Sequence, residues 1–181
     1  MPSLGPNVRE ISDAVLGSET HPVDAQEASA ETSRVEVRQA IRIGPLRLLL
    51  DFSSTSRLSE MVPITPVPAA PPWLKGLASL RGSVLPVVDL AVLGGIDVSS
   101  VPRPYLLVLG RGENAIAILI DGLPERFRLT ASHGNAPHAA PEWLVRSVLQ
   151  AYAQNDEVWL DLDCNCLLED IAGHMRTAVT P

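Results

Sequence analysis

Prolines and glycines set the first limit on what this chain can become. Sixteen prolines and twelve glycines stand among its 181 residues. Proline locks φ and removes a donor, while glycine opens left-handed backbone, so the chain is cut into many short elements joined by turns. The stretch "PITPVPAAPP" holds five prolines in ten residues and predicts a stiff extended connection. The length allows one domain with a real core, or two small packed units. Only seven residues are aromatic although 46% are apolar, so Val, Leu, Ile and Ala must fill the interior.

Between the breaks, the hydrophobic period is mostly two. In "VRQAIRIGPLRLLLDF", Ile41 and Ile43 alternate with Arg42, and Leu46 and Leu48 alternate with Arg47, across Gly44-Pro45. This predicts a hairpin with one wet face. "SSTSRLSEMV" predicts a short helix with a Ser/Thr cap, placing Leu58, Met61 and Val62 on one face. Trp73, Leu77 and Leu80 predict a further helical turn or two. Val84 to Leu90 is a strand by composition, with Pro86 confining it to an edge or a bulge. "AVLGG" is a short helix with a glycine stop. Residues 105–109 and 115–120 make a second hairpin around "GRGEN", which is no phosphate loop, lacking the lysine and the following helix. Phe127 and Leu129 lie on another strand. "EWLVRSVLQAYA" fits a helix or a strand, "EVWLDLD" is a strand, and "LLEDIAGHM" is a short terminal helix. The class is mainly β, with many short strands suited to small barrels or a sandwich.

Residues 1–34 read differently, with six acidic and two basic residues and no aromatic. Such a segment buries too little apolar surface to offset ordering, so a disordered tail is expected. Within it, Val8, Ile11, Val15 and Leu16 of "VREISDAVLG" fall at helical spacing and mark a short docking helix or a transient one. The net charge of −7 and the scattered basic residues argue against a nucleic-acid partner. No stretch approaches the roughly 20 apolar residues of a membrane span, and no basic-then-apolar leader is evident, so a cytoplasmic protein without membrane insertion is expected. Cys164 and Cys166 suit a reducing compartment; two apart on a strand, they would share a face without closing a bridge.

No catalytic constellation stands out. G-x-S-x-G, H-E-x-x-H and a phosphate cradle before a helix are all missing from the sequence. The four histidines, His133 and His138 among them, sit in loops, tails and a terminal helix and form no ordered set with Ser and Asp. Asp89 and Asp121 each end an apolar strand, where capping and turn formation account for them. One metal-binding alternative uses Asp161, Cys164, Cys166 and His174. Otherwise the residues describe a β interaction domain that is not an enzyme and needs no cofactor.

The segment "WLKGLASLRGSVLPVVDL" (73–90) resembles the CheW-like domain of bacterial chemosensory systems. The family pattern is a proline-flanked aromatic, a glycine, N-L-R-G, two residues, Pro, an apolar pair and Asp-Leu. It stands here as Trp73, Gly76, "SLRG" and "SVLPVVDL", with Ser79 as the departure. "LSEMVPITPVP" is similar to the family's Glu-containing helix and apolar-Pro segment, "AIAILIDGLPERFRL" to its second hairpin, and "EVWLDLDCNCLLED" to its closing strand and helix. The resemblance runs from about residue 35 to 174. Family members carry a glycine in a strand where "WLVRSVLQAY" has none, which leaves the pairing of 143–153 open.

The resemblance implies two packed five-stranded β-barrels: one of about residues 45–97, the other of 35–44 plus 104–166, within a domain of 35–174 followed by a tail, 175–181. It implies a non-catalytic adaptor in two-component signal transduction. Its partners would be the cytoplasmic tip of chemoreceptors and the regulatory domain of a CheA-type histidine kinase, in an array serving chemotaxis or pilus-type motility. A CheW-like scaffold for a non-motility system is the nearest alternative. Leu58, Glu60, Gly76 and Arg81 match family positions associated with partner contact, with core or barrel packing as the alternative for Leu58 and Gly76 and a solvated charge for Glu60. Gly82, Ile120 and Asp121 are further partner-binding candidates, Ile120 and Asp121 with barrel core and turn as the alternative. For Arg81 two roles stay open, an internal strut to Glu60 or Asp89 and a direct contact offering its planar fork to a carboxylate.

Overall fold

A computed structural model describes residues 36–98, 100–129 and 140–179. The acidic tail, its "VREISDAVLG" patch, His133 and His138 lie outside the described residues. Eleven strands among the described residues form two sheets.

The first sheet starts from the expected hairpin of β1 (Glu36–Ile43) and β2 (Leu46–Leu50), paired antiparallel from Gln39↔Leu50 to Ile43↔Leu46. Gly44 takes a φ of +55°, as the first position of a two-residue loop of this hand requires. β1 also pairs with β9 (Glu125–Leu129). β2 pairs in parallel with β11 (Glu157–Leu162), which pairs with β10 (Val148–Gln154). The order across the sheet is β10-β11-β2-β1-β9.

The second sheet comprises β3 (Thr55–Glu60), β4 (Ile64–Thr65), β5 (Leu74–Leu80), β6 (Ser83–Val88), β7 (Tyr105–Leu109) and β8 (Ile116–Ile120). Its order is β3-β7-β8-β6-β5-β4. Two helices complete the set, α1 (Leu90–Leu93) and α2 (Cys164–Val179). Both begin on an aspartate. Asp89 accepts from the Val92 N–H at 3.2 Å, and Asp163 from the Asn165 and Cys166 N–H groups at 2.8 and 3.2 Å.

Strand alternation divides the core. Leu107, Leu109, Ile116, Ile118 and Ile120 join Ile41, Ile43, Leu48 and Leu50 of the first sheet, and Leu167 and Ile171, one turn apart on α2, seal that cluster. The neighbouring positions Leu106, Val108, Ala117 and Leu119 turn the other way and pack with Ala78, Leu80, Leu85 and Val87. On the far side of the first sheet, Leu49 meets Ala40, Phe127 and Trp159. β2 is therefore buried on both faces, with Leu48, Leu49 and Leu50 all fully enclosed. The expected wet face survives only at Arg42 and Arg47, which pair with Glu125 and Glu157.

Several expectations are corrected. Residues 55–60 are strand, because a ladder to β7, one for one from Arg57↔Val108 to Glu60↔Tyr105 beyond an irregularity at its start, outweighs a helical turn that would bury a single face. Residues 74–80 are strand as well: Gly76, Ala78 and Leu80 are buried while Leu77 and Ser79 are exposed, a period of two that the i, i+3 spacing concealed. β6 is no edge strand, since β5 and β8 flank it; its parallel ladder to β8 begins only at Val87, just past Pro86. The strand grouping also differs from barrels of 45–97 and 35–44 plus 104–166. β2 stays with its hairpin partner in the five-stranded sheet, and 105–120 joins 55–88 in a sheet of six. Residues 142–147 form a 3-10 helix leading into β10, which settles the pairing of that region on β11. α2 runs on to Val179, through most of the supposed tail, because no proline or glycine follows Gly173 until its end.

Candidate docking surface

The 73–90 segment forms the β5–β6 hairpin and the entry to α1. Its ladder runs to Leu80↔Ser83, leaving Arg81-Gly82 as a two-residue loop. Arg81 has φ +50° and Gly82 φ +84°, the pair of left-handed residues a type I′ turn needs. A side chain on Gly82 would meet nothing within 4 Å, so backbone freedom rather than space calls for glycine there. Arginine in left-handed backbone is strained by roughly 1–2 kcal/mol, and Arg81 is exposed with no ion pair to any described residue. The strut to Glu60 or Asp89 is not formed. Asp89 is instead fully buried and paired with Arg103, with the Lys75 ammonium 3.6 Å from its other oxygen.

Outward positions of this hairpin are unusually apolar. Leu77 stands across from Pro86, and Ser79 across from Val84, which is 66% exposed. Arg81 therefore ends a greasy strip of Leu77, Val84 and Pro86. The helical spacing of Trp73, Leu77 and Leu80 conceals these side chains in the sequence, whereas the alternation Leu74, Gly76, Ala78, Leu80 against Leu77, Ser79, Arg81 carries the signal.

The other expected residues divide by burial. Leu58 and Glu60 are exposed on β3, and the Arg57 guanidinium ties the start of that strand to the hairpin tip by donating to the Leu80 carbonyl at 2.9 Å. Ile120 is fully buried at the end of β8, in the same transverse row as Tyr105 and Glu60. Asp121 follows it, accepting from the Gly44 N–H at 2.6 Å and so linking the two sheets at the β1–β2 turn. Burial pushes the Asp121 carboxyl up, against the pull of that N–H. Gly76 is buried with φ +136°, and an added Cβ would fall inside contact of the Thr65 backbone on β4. Gly76, Ile120 and Asp121 thus act through the shape of the fold, whereas Leu58, Glu60 and Arg81 present side chains.

The metal-binding alternative finds no assembly. Asp161 accepts from Arg38 at 2.9 Å, Cys164 is buried with its thiol pushed up by burial, Cys166 faces the Arg146 carbonyl, and His174 lies edge-on to Trp73. Both cysteines are free and sit in the first turn of α2, not on a strand. Among the described residues, no three His, Cys, Asp or Glu side chains come close enough to hold a metal ion.

Comparison with known proteins agrees with this geometry. The model of the CheW-like domain matches residues 40–172. A probable chemotaxis protein CheW of Rhizobium etli is 28% identical over 92 residues, covering 50% of this chain and 59% of that protein. The chemotaxis protein CheW of Klebsiella aerogenes is 31% identical over 97 residues, 53% of this chain and 57% of the relative. The match thus spans less than two thirds of these relatives. The crystal structure of the scaffolding protein TtCheW from Thermoanaerobacter tengcongensis superposes with a TM-score of 0.59, covering 71% of this chain and 89% of that one at 17% identity. That likeness is one of fold.

Proposed function

The chain belongs to the CheW-like domain family, and from that premise we propose that it is a non-catalytic adaptor joining the cytoplasmic tip of chemoreceptors to the regulatory domain of a CheA-type histidine kinase. In this reading it works in the cytoplasm, at membrane-associated receptor arrays of a chemotaxis or pilus-type system. No helix among the described residues is long and apolar enough to cross a membrane, which is compatible with that role.

The observation that carries the reading is Arg81. It is exposed, unpaired among the described residues and held in left-handed backbone where asparagine or glycine would sit more easily. A residue kept in strain without an internal partner points to a use outside the molecule. The fork of Arg81 suits a carboxylate on a partner helix or barrel, and the Leu77–Val84–Pro86 strip beside it supplies apolar area. Leu58 and Glu60 extend the contact across β3, while Gly76, Gly82, Ile120 and Asp121 hold the backbone that presents it. The surface is modest, and its effect is multiplied by repetition in an array.

Arg81→Asn tests this. Asparagine relieves the turn, so the midpoint of unfolding stays level or rises, while affinity for the kinase regulatory domain or the receptor fragment falls at least tenfold in a titration. Unchanged affinity for both partners would remove Arg81 from the interface. A wild-type chain that captures neither partner would end the adaptor reading.

A further inference from the structure

β10 (Val148–Gln154) ends the five-stranded sheet, with β11 on one side and no described strand on the other. Soluble proteins commonly guard such an edge with charge, proline or a bulge, because its free N–H and C=O groups invite another strand. The opposite edge, β9, is guarded in this way: three of the five residues in "ERFRL" are charged. β10 reads "VLQAYAQ" and carries no charge at all. Its one irregularity is a bulge between Val148 and Gln150 that thrusts out Leu149, 64% exposed. Beyond the bulge, the ladder to β11 runs one for one from Gln150↔Asp161 to Gln154↔Glu157. That regular stretch, Q-A-Y-A-Q, is a palindrome about Tyr152.

We propose that this edge pairs antiparallel with the same edge of a second copy of the chain, about a two-fold axis at Tyr152. In this register Gln150 lies opposite the second copy's Gln154, Ala151 opposite its Ala153, and Tyr152 opposite its Tyr152. The pairing is isologous, so it closes as a dimer and does not propagate into a fibre. No like charges meet along the strand, and amide and aromatic cross-strand pairs are favourable. Beyond the ladder, the acidic turn at Asp156 of each copy lies toward the other's 3-10 helix, which carries Arg146, paired within its own chain with Asp170 at 2.7 Å and still with its side chain 74% exposed. A five-residue ladder is small, so the dimer is weak and dependent on concentration. The net charge of −7 opposes it, and added salt therefore strengthens it. This inference goes beyond the adaptor reading and stands whether or not that reading holds, because only self-association is measured.

Sedimentation velocity on the full chain, from micromolar to millimolar protein, is expected to show a monomer–dimer equilibrium. Gln150→Lys/Gln154→Lys sets lysine against lysine at both ends of the ladder and weakens the dimer at least tenfold. Gln150→Lys/Gln154→Glu sets lysine against glutamate at the same two places and restores it. The side chain of Gln150 is exposed and that of Gln154 half-buried, so thermal melts should match wild type. Cross-linking gives an independent reading. Directly opposite residues have Cα atoms about 4.5–5.5 Å apart, within disulfide reach, so Tyr152→Cys joins to itself under copper-catalysed air oxidation while Leu149→Cys does not. A wild-type chain that stays monomeric throughout, or a Lys/Lys variant that dimerises like wild type, overturns the proposal. A Lys/Glu variant no better than Lys/Lys overturns the register.

Discussion

Gly76→Ala offers the clearest separation of a structural role from a contact role at a family motif position. Gly76 has φ +136°, a region that L side chains rarely enter, and its Cβ would stand 2.8 Å from the Thr65 carbonyl carbon and closer still to the oxygen. Those atoms are backbone, so no rotamer change relieves the clash. Either β5 twists or β4 withdraws. Strain at this φ costs about 1–3 kcal/mol. Withdrawal of β4 surrenders the pairs Ile64↔Ala78 and Thr65↔Leu77, with ladder bonds worth about 1 kcal/mol each. Ile64, packed against the second core cluster, would also lose burial worth roughly 1 kcal/mol. The sum is about 4–6 kcal/mol, which lowers Tm by about 10–20 °C for a domain of this size. Urea unfolding gives the free energy, and partner titration at a temperature where the variant remains folded gives the affinity. A loss below about 1 kcal/mol would refute the clash argument. Wild-type stability with abolished binding would make Gly76 a contact, contrary to its burial.

Two further perturbations probe buried and half-buried carboxylates: Asp161, paired across the first sheet, and Asp121, which links the two sheets. The side chain of Asp161 is 5% exposed and that of its partner Arg38 17%; burial pushes the Asp161 carboxyl up and Arg38 pulls it back. Removing one partner leaves a charge uncompensated, so Asp161→Ala should cost about 3–5 kcal/mol while Arg38→Leu/Asp161→Leu recovers most of it. A single-variant loss below about 1 kcal/mol in denaturant titrations would contradict the burial argument. Asp121 tests pH dependence: its folded pKa is raised, chiefly by burial, so its ionisation destabilises the fold above that pKa. Stability from this group therefore grows as pH falls from neutral through the raised pKa toward the ordinary carboxylate range. Asp121→Asn keeps an oxygen for the Gly44 N–H, should match or exceed wild type at neutral pH, and should lack that share of the acid-side gain in urea titrations at stepped pH. A variant with the wild-type pH profile would show that Asp121 is not the source.

Much of this protein was written in local pattern. The β1–β2 hairpin, the β7–β8 hairpin, β9, β11, the glycine-stopped α1 and the middle of α2 all follow from period and turn chemistry, because their signals lie within a few residues of one another. The Arg81-Gly82 break between two apolar stretches was equally local, although its place as a hairpin loop and its positive φ angles emerged only with the ladder around it. Segments 55–60 and 74–80 could not be assigned that way. Each carries apolar residues at spacings compatible with helix and with strand, and the choice was made by ladder partners: β7, far along the chain, for the first, and the flanking strands β6 and β4 for the second. The assignment of β2 to one sheet and of 105–120 to the other likewise depended on the parallel pairings β2–β11 and β6–β8, which join strands remote in sequence. So did the freedom of Arg81, since Asp89 had already been claimed by Arg103. Sequence determines what a few neighbouring residues prefer; which strand completes a ladder, and which charge is left over, is a property of distant surfaces competing for the same partner.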